Sequence, residues 1–240
     1  MGDIGAMPKS MQKLGITIFA LSCLGMAGYL SAELASAQDD RASRTCQPNI
    51  PNGQARCVYG DGAYYTGTLV DGIPNGRGVY VDSTGAFYDG EFRNGRPNGQ
   101  GQFVAVSNDR FEGQFSNGQI VRGTVIYANG DRFVGQFSNG LPNGQGRFLF
   151  ANGDSFSGQY LLGEIRGKGQ FTRADGIRCE GEFYNSDLLG QGTCTYPDRT
   201  RYQGELRGGI PHGKGTIITP DGKRFPGLFR EGQPFEGEGQ

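Results

Sequence analysis

The 240-residue chain has no tryptophan, one histidine and a formal net charge of −1. The charge balance removes the long-range field by which nucleic acid or an anionic membrane is recruited through bulk electrostatics. The lone His212 stands where other repeats carry Asn75, Asn98 and Asn143, so a turn role suits it better than a histidine-based catalytic triad. The carboxylates recur in phase with the rest of the chain and read as solvated rather than as a catalytic pair. Glycine runs such as Gly144-Gln145-Gly146 and Gly167-Lys168-Gly169 lack the strand–loop–helix setting of a phosphate loop. The expectation is a chain that is not an enzyme and that carries no cofactor and no metal.

Glycine, by contrast, is abundant at 44 residues. It shows no collagen period and falls at fixed places beside fixed aromatics. An opening residue recurs at Tyr65, Tyr88, Phe111, Phe133, Phe156, Cys179, Tyr202 and Phe225. Every step is 23 residues except Phe111 to Phe133, which is 22. A constant period of this length marks a repeat array. Residues 46–64 form a partial first unit that suits a terminal cap, because Pro51-Asn52-Gly53 precedes Pro74-Asn75-Gly76 by one period.

Within a repeat, the opening residue and the one four places on share a face: Tyr65 and Leu69, Tyr88 and Phe92, Phe111 and Phe115, Phe133 and Phe137, Phe156 and Tyr160, Tyr202 and Leu206, Phe225 and Phe229. A glycine lies between them (Gly67, Gly90, Gly113, Gly135, Gly158, Gly181, Gly204, Gly227), which leaves room for a large ring from an adjacent strand. The other face carries Glu91, Glu112, Gln114, Gln136, Glu182 and Glu205. One apolar and one wet face is the pattern of an antiparallel sheet. Two reversals per repeat are expected: a first turn at Pro97-Asn98-Gly99, Pro142-Asn143-Gly144 or Pro211-His212-Gly213, and a second at Asn129-Gly130, Asn152-Gly153, Asp175-Gly176 or Asp221-Gly222. Between them a second strand supplies Tyr80, Phe103, Phe148, Phe171 and Ile217. The fold class is therefore all-β, an elongated antiparallel meander of stacked hairpins, roughly 75 Å long at ~4.8 Å per strand.

Tyr-x-Gly-x-Phe, then Gly, Pro-Asn-Gly-x-Gly and Asn-Gly-Asp resembles the MORN (membrane occupation and recognition nexus) repeat, over residues 47–240. The resemblance implies a curved single sheet and a role in protein–protein or membrane-associated scaffolding. The sequence departs from the pattern in three places. The repeat from Phe111 is short around Gln119–Gly123, where a kink or altered turn is expected. Cys179 replaces an opening aromatic, and the last repeat is expected to lack a complete second strand and leave an edge, on which Pro226, unable to donate, discourages an added strand.

Residues 1–37 read as an export signal: Lys9 and Lys13, an uncharged run from Leu14 to Leu30, then Ala35-Ser36-Ala37. A retained membrane anchor is the alternative, and acylation at Cys23 a weaker one. Residues 38–45 form a polar leader, and 46–240 the array. Either reading of the N-terminus exports the repeats to an oxidising compartment: periplasmic, extracellular, or anchored and facing outward. Four cysteines then remain, in two local pairs, and disulfides Cys46–Cys57 and Cys179–Cys194 are expected. A zinc site and plain buried thiols are the alternatives.

The candidate binding residues are Arg110, Arg132, Arg178, Arg201 and Arg224, each immediately before an opening residue and hence in equal phase on the wet face. They form either a basic stripe for anionic lipid headgroups, glycan phosphates or an acidic partner, or a ladder paired with Glu112, Glu180, Glu182 and Glu205. The aromatic face must also be covered, by its own curvature, by an extended ligand, by a partner helix or by a second copy in a homodimer. The reading is a non-enzymatic scaffold of the cell envelope that binds a protein partner or a membrane surface. The alternative is a lipid- or glycan-binding module using the arginine row.

Overall fold

The structure, a computed structural model, describes residues 44–235. The segment 1–37, most of the leader and the last five residues lie outside the described residues. The described chain divides into two compact units, one ending at Ala151 and one beginning at Asn152. The first contains β1 (Thr45–Gln47), β2 (Gly53–Val58), β3 (Tyr64–Val70), β4 (Ile73–Val81), β5 (Phe87–Arg93), β6 (Arg96–Val104), β7 (Arg110–Ser116), β8 (Gln119–Ile126), β9 (Arg132–Ser138) and β10 (Leu141–Leu149). The second contains β11 (Ser155–Leu161), β12 (Glu164–Thr172), β13 (Arg178–Phe183), β14 (Gly190–Thr195), β15 (Arg201–Arg207), β16 (Ile210–Ile218), β17 (Arg224–Arg230) and β18 (Gln233–Phe235). In each unit every strand pairs antiparallel with the next in sequence. The expected all-β architecture of stacked hairpins is thus observed.

The first turn lies elsewhere than expected. Val70 pairs with Ile73 and Arg93 with Arg96, so the two-residue loops are Asp71-Gly72 and Asn94-Gly95. Their φ angles, 49° and 71° then 50° and 78°, are positive at both positions. This geometry matches the strand twist and is why Asn-Gly serves here. Pro74-Asn75-Gly76, Pro97-Asn98-Gly99, Pro142-Asn143-Gly144 and Pro211-His212-Gly213 all lie inside the second strand of their hairpins. There they build a bulge: Gly90 pairs with Gly101 and Phe92 with Pro97, so Glu91 alone faces Asn98, Gly99 and Gln100. His212 is accordingly a bulge residue, not a turn residue. The second set of reversals is placed as expected. Those at Asn129-Gly130, Asp175-Gly176 and Asp221-Gly222 are three-residue loops, as in Ala128-Asn129-Gly130, where Gly130 N donates to Tyr127 O at 2.9 Å and Tyr127 N to Asp131 O at 2.9 Å.

The opening rings of Tyr65, Tyr88, Phe156 and Tyr202 each lie over a cross-strand glycine pair of their own hairpin. A Cβ on Gly90 would approach the Tyr88 hydroxyl at 2.5 Å, and one on Gly101 at 2.2 Å. Phe156 covers Gly158 and Gly169 in the same way, and Tyr202 covers Gly204 and Gly215. These four rings then meet, edge-on, the ring four places after the next opening position. The centroid separations are 5.1 Å for Tyr65–Phe92, 5.0 Å for Tyr88–Phe115, 5.4 Å for Phe156–Phe183 and 4.9 Å for Tyr202–Phe229. Such contacts contribute about 1 kcal/mol each beyond area burial, and they connect one repeat to the next. Phe183, fully buried, belongs to this series although its repeat opens with a cysteine.

Two hydrogen-bond ladders, one backbone to backbone and one backbone to side chain, reinforce the stacking. The turn glycine donates to the bulge proline of the preceding repeat: Gly95 N to Pro74 O and Gly118 N to Pro97 O, both 2.9 Å. At the opposite hairpin ends, Asp109 accepts from Ala128 N at 2.9 Å, Asp131 from Ala151 N at 2.8 Å and Asp154 from Ala174 N at 2.9 Å. The aspartate of Asn-Gly-Asp therefore ties its loop to the loop one repeat on, a role its sequence position alone did not reveal.

The short repeat keeps its turn, since Ser116 pairs with Gln119 across Asn117-Gly118. Its missing residue is taken from the bulge, where only Val121 is left unpaired; the expected altered turn is not formed. Both disulfides are present, joining directly opposed strand residues, Cys46 to Cys57 and Cys179 to Cys194. The second bond lies beside Gly181 and Gly192, a glycine pair with no ring within contact of either added Cβ.

Candidate functional site

Burial separates the two sheet faces. The opening residues from Tyr65 to Tyr202 and their partners four places on are all buried within the single chain. Phe225 is the exception, 54% exposed. The aromatic face is thus largely closed by the chain's own rings, and the outer face is the one left open to solvent.

That face is organised by register. In the first unit Arg110 and Arg132 both pair with Ile126. In the second, Arg178 pairs with Thr195, Thr195 with Arg201, Arg201 with Ile218 and Ile218 with Arg224. The structure therefore brings the predicted arginines into line within each unit, one on every second strand, and all five are exposed.

The expected pairing with glutamates is not made. Among the described residues the ion pairs are Arg166–Glu164, Arg173–Asp175 and Lys223–Asp221, and none involves the five. The reason is local competition. Glu112 accepts from Gln102 Nε2 at 2.8 Å and Glu180 from Gln170 Nε2 at 2.5 Å, each directly across the strand pair. Asp175 is held by the nearly buried Arg173 at 2.7 Å. Asp221 accepts from the Thr219 hydroxyl and pairs with Lys223, which holds its carboxyl below the usual range. Glu112, Glu180, Asp175 and Asp221 are thus engaged elsewhere, and the arginine guanidinium groups face solvent.

The outer face is also less wet than its sequence suggested. In the first unit the arginine row continues through apolar residues: Val58 pairs with Tyr64, Tyr64 with Val81, Val81 with Phe87 and Phe87 with Val104. Arg56 stands over the Tyr64 ring at 4.2 Å. The signal was present in the sequence: Tyr64 and Phe87 hold the position, just before the opening aromatic, that arginine holds later.

No group of three or more His, Cys, Asp or Glu side chains is arranged to hold a metal ion among the described residues. No helix there is long and apolar enough to cross a membrane. The tyrosine hydroxyls of the closed face are perturbed by burial, Tyr202 being pushed up to about 12 and Tyr65 and Tyr88 further in the same direction. These are structural groups, bonded to backbone carbonyls.

A family model described as MORN repeat matches residues 65–87, 88–110, 111–132, 133–155, 156–178, 179–201 and 202–224 in succession. The comparison with curated proteins found no match. Among solved structures, the chain is similar to the TCP domain of SAS-4 (dCPAP) of Drosophila melanogaster, solved with a proline-rich motif of Ana2, at 11% identity and a TM-score of 0.39, covering 78% of this chain and 90% of that one. It is also similar to the TCP10 domain of Danio rerio CPAP, at 14% identity and a TM-score of 0.37, covering 72% of this chain and 86% of that one. At these scores neither likeness carries an argument about function.

Proposed function

The chain belongs to the MORN-repeat family, and on that premise we propose that it is a non-enzymatic scaffold of the cell envelope that holds a protein partner on its outer face. The observation that carries this reading is the division of labour between the faces: the rings are buried within the chain, while the outer face presents aligned arginines without carboxylate partners. A second copy is not needed to cover the rings. Export to an oxidising compartment is supported by the two disulfides joining residues already opposed in register.

The same unpartnered row favours a second reading, a module that binds anionic lipid headgroups or glycans. A photo-crosslinking amino acid at Thr195 in the full chain, expressed in its own cell, separates the two. Discrete protein adducts, absent when the label is placed at Thr84 on a hairpin end, support the scaffold. Flotation on anionic but not neutral vesicles, abolished by salt and by Arg201→Ala, supports the second reading. Neither adduct nor flotation overturns both.

A further inference from the structure

The interval between the unpartnered arginines is set by the sheet, and it selects the shape of what they bind. Neighbouring strands lie ~4.8 Å apart, so arginines on every second strand repeat at about 9.6 Å. Arg178, Arg201 and Arg224 make two such intervals, on β13, β15 and β17. Between them the row carries Thr195, which is short, and Ile218, which is 7% exposed. The guanidinium groups are therefore the row's points of contact, and a ligand crossing the strands meets positive charge at that interval.

The rows next inward are not uniformly basic, as a flat anionic surface would require. One row inward along the strands, Gln170 pairs with Glu180, Glu180 with Thr193 and Thr193 with Gln203. Two residues further, Lys168 pairs with Glu182, Glu182 with Gln191 and Gln191 with Glu205. A bilayer of anionic headgroups laid on this face would meet Glu180, Glu182 and Glu205 among Lys168, Lys214 and the arginines. A single-file ligand along the arginine row avoids them, because rows on one face are about 6.8 Å apart.

A peptide strand repeats its same-side groups every ~6.8 Å, out of phase with the arginines. A helix returns to one face after a heptad at about 10.5 Å, which drifts over two intervals. Polyproline II, at ~3.1 Å per residue and three residues per turn, repeats at about 9.3 Å and stays in phase. It also makes no ladder hydrogen bonds, so it can cross strands rather than extend an edge. We infer that the second unit's arginine row is a docking site for an extended polyproline-II segment of a protein partner with an acidic residue at every third position, each carboxylate received by one of Arg178, Arg201 and Arg224. Guanidinium–carboxylate pairs supply the geometry for such recognition, and a proline-stiffened ligand loses little freedom on binding. This rests on the protein-scaffold reading and names the chemistry of its partner.

The test is the affinity of the full chain for two synthetic peptides of identical composition, by fluorescence anisotropy at two salt concentrations. The spaced peptide repeats the triplet Glu-Pro-Pro four times; the block peptide places all of the same glutamates before all of the same prolines. The spaced peptide is expected to bind at least tenfold more tightly. Arg201→Ala should lower its affinity by about tenfold, with Arg201→Lys restoring part of the loss, while thermal stability is unchanged. Equal affinity for the two peptides overturns the inference, since it means charge without register. Stronger competition by polygalacturonate or by phosphatidylglycerol vesicles than by the spaced peptide also overturns it, in favour of a glycan or a lipid. If neither peptide binds but the Thr195 crosslink yields a protein, the inference fails and the scaffold stands; if the crosslink also fails, both fall.

Discussion

The hydroxyl of Tyr88 donates a 3.1 Å hydrogen bond to the carbonyl oxygen of Glu91, three residues along its own strand. Glu91 is the residue that faces the bulge alone, and the ring that covers the glycine pair also hydrogen-bonds its carbonyl. Tyr65 makes the same bond to Thr68 at 2.9 Å and Tyr202 to Glu205 at 2.8 Å.

Phe133 holds the same position without the hydroxyl: its ring lies over Gly135, and Gln136 faces the bulge. Phe133→Tyr is therefore expected to stabilise the chain by about 1 kcal/mol, and Tyr88→Phe to destabilise it by about as much. Urea unfolding midpoints check both. Unchanged midpoints would mean that water serves these carbonyls equally well.

The space over the glycine pair is already full. Gly101→Ala puts a methyl group 2.2 Å from the Tyr88 hydroxyl and 2.4 Å from Cζ of the same ring. Displacing that ring also breaks its contacts with Phe92 and Phe115. A loss of about 3 kcal/mol is expected, readable as a lowered melting temperature. Gly85→Ala, with open space but φ of 95°, should cost less, about 1–2 kcal/mol. Equal losses at the two sites would show that backbone conformation, not ring packing, fixes the glycines.

How much of this was legible in the sequence depends on what each residue decides. The 23-residue period and the alternation around Phe133-Val134-Gly135-Gln136-Phe137 were enough for the hairpin stack. The turn was ambiguous because Asn139-Gly140 and Asn143-Gly144 lie four residues apart and both tolerate positive φ. Pairing of Gly135 with Gly146 selects the first as the turn and makes the second a bulge, and that choice depends on ring packing across strands. Equal phase placed the arginines correctly. Their lack of acid partners was hidden, because Gln102 and Gln170, on other strands, engage Glu112 and Glu180 first.

One turn breaks the local rule. Leu162 occupies the left-handed position with φ of 51° and is 61% exposed, where the equivalent residues are Asp71, Asn94, Asn117 and Asn139. A branched side chain is disfavoured there, and at this exposure little packing offsets it. Leu162→Asn should raise stability by about 1 kcal/mol. A lower melting temperature would mean that Leu162 makes a contact worth more than its strained backbone.

The Cys179–Cys194 bond closes a span of 15 residues in a hairpin without a covering ring. Replacing both cysteines by alanine is expected to cost about 3 kcal/mol and to accelerate amide exchange in β13 and β14 first. A uniform loss of protection across all strands would instead place the disulfide's effect in global stability rather than in this hairpin.

The buried tyrosines set the alkaline limit. Burial pushes Tyr202 up to about 12 and raises Tyr65 and Tyr88 as well, whereas an unfolded tyrosine ionises near about 10. Below about pH 10 both states keep the proton, and the full contribution of these residues is present. Between about pH 10 and 12 the unfolded chain releases protons that the folded chain retains, so stability falls as pH rises. The melting temperature should be flat to about pH 9.5 and decline above it. Tyr88→Phe with Tyr202→Phe should make that decline shallower, while lowering stability at neutral pH through the two lost carbonyl bonds. If the double variant kept the wild-type slope, the alkaline loss would have to come from other groups, such as Tyr160 and Tyr196, which burial also raises, rather than from Tyr88 and Tyr202.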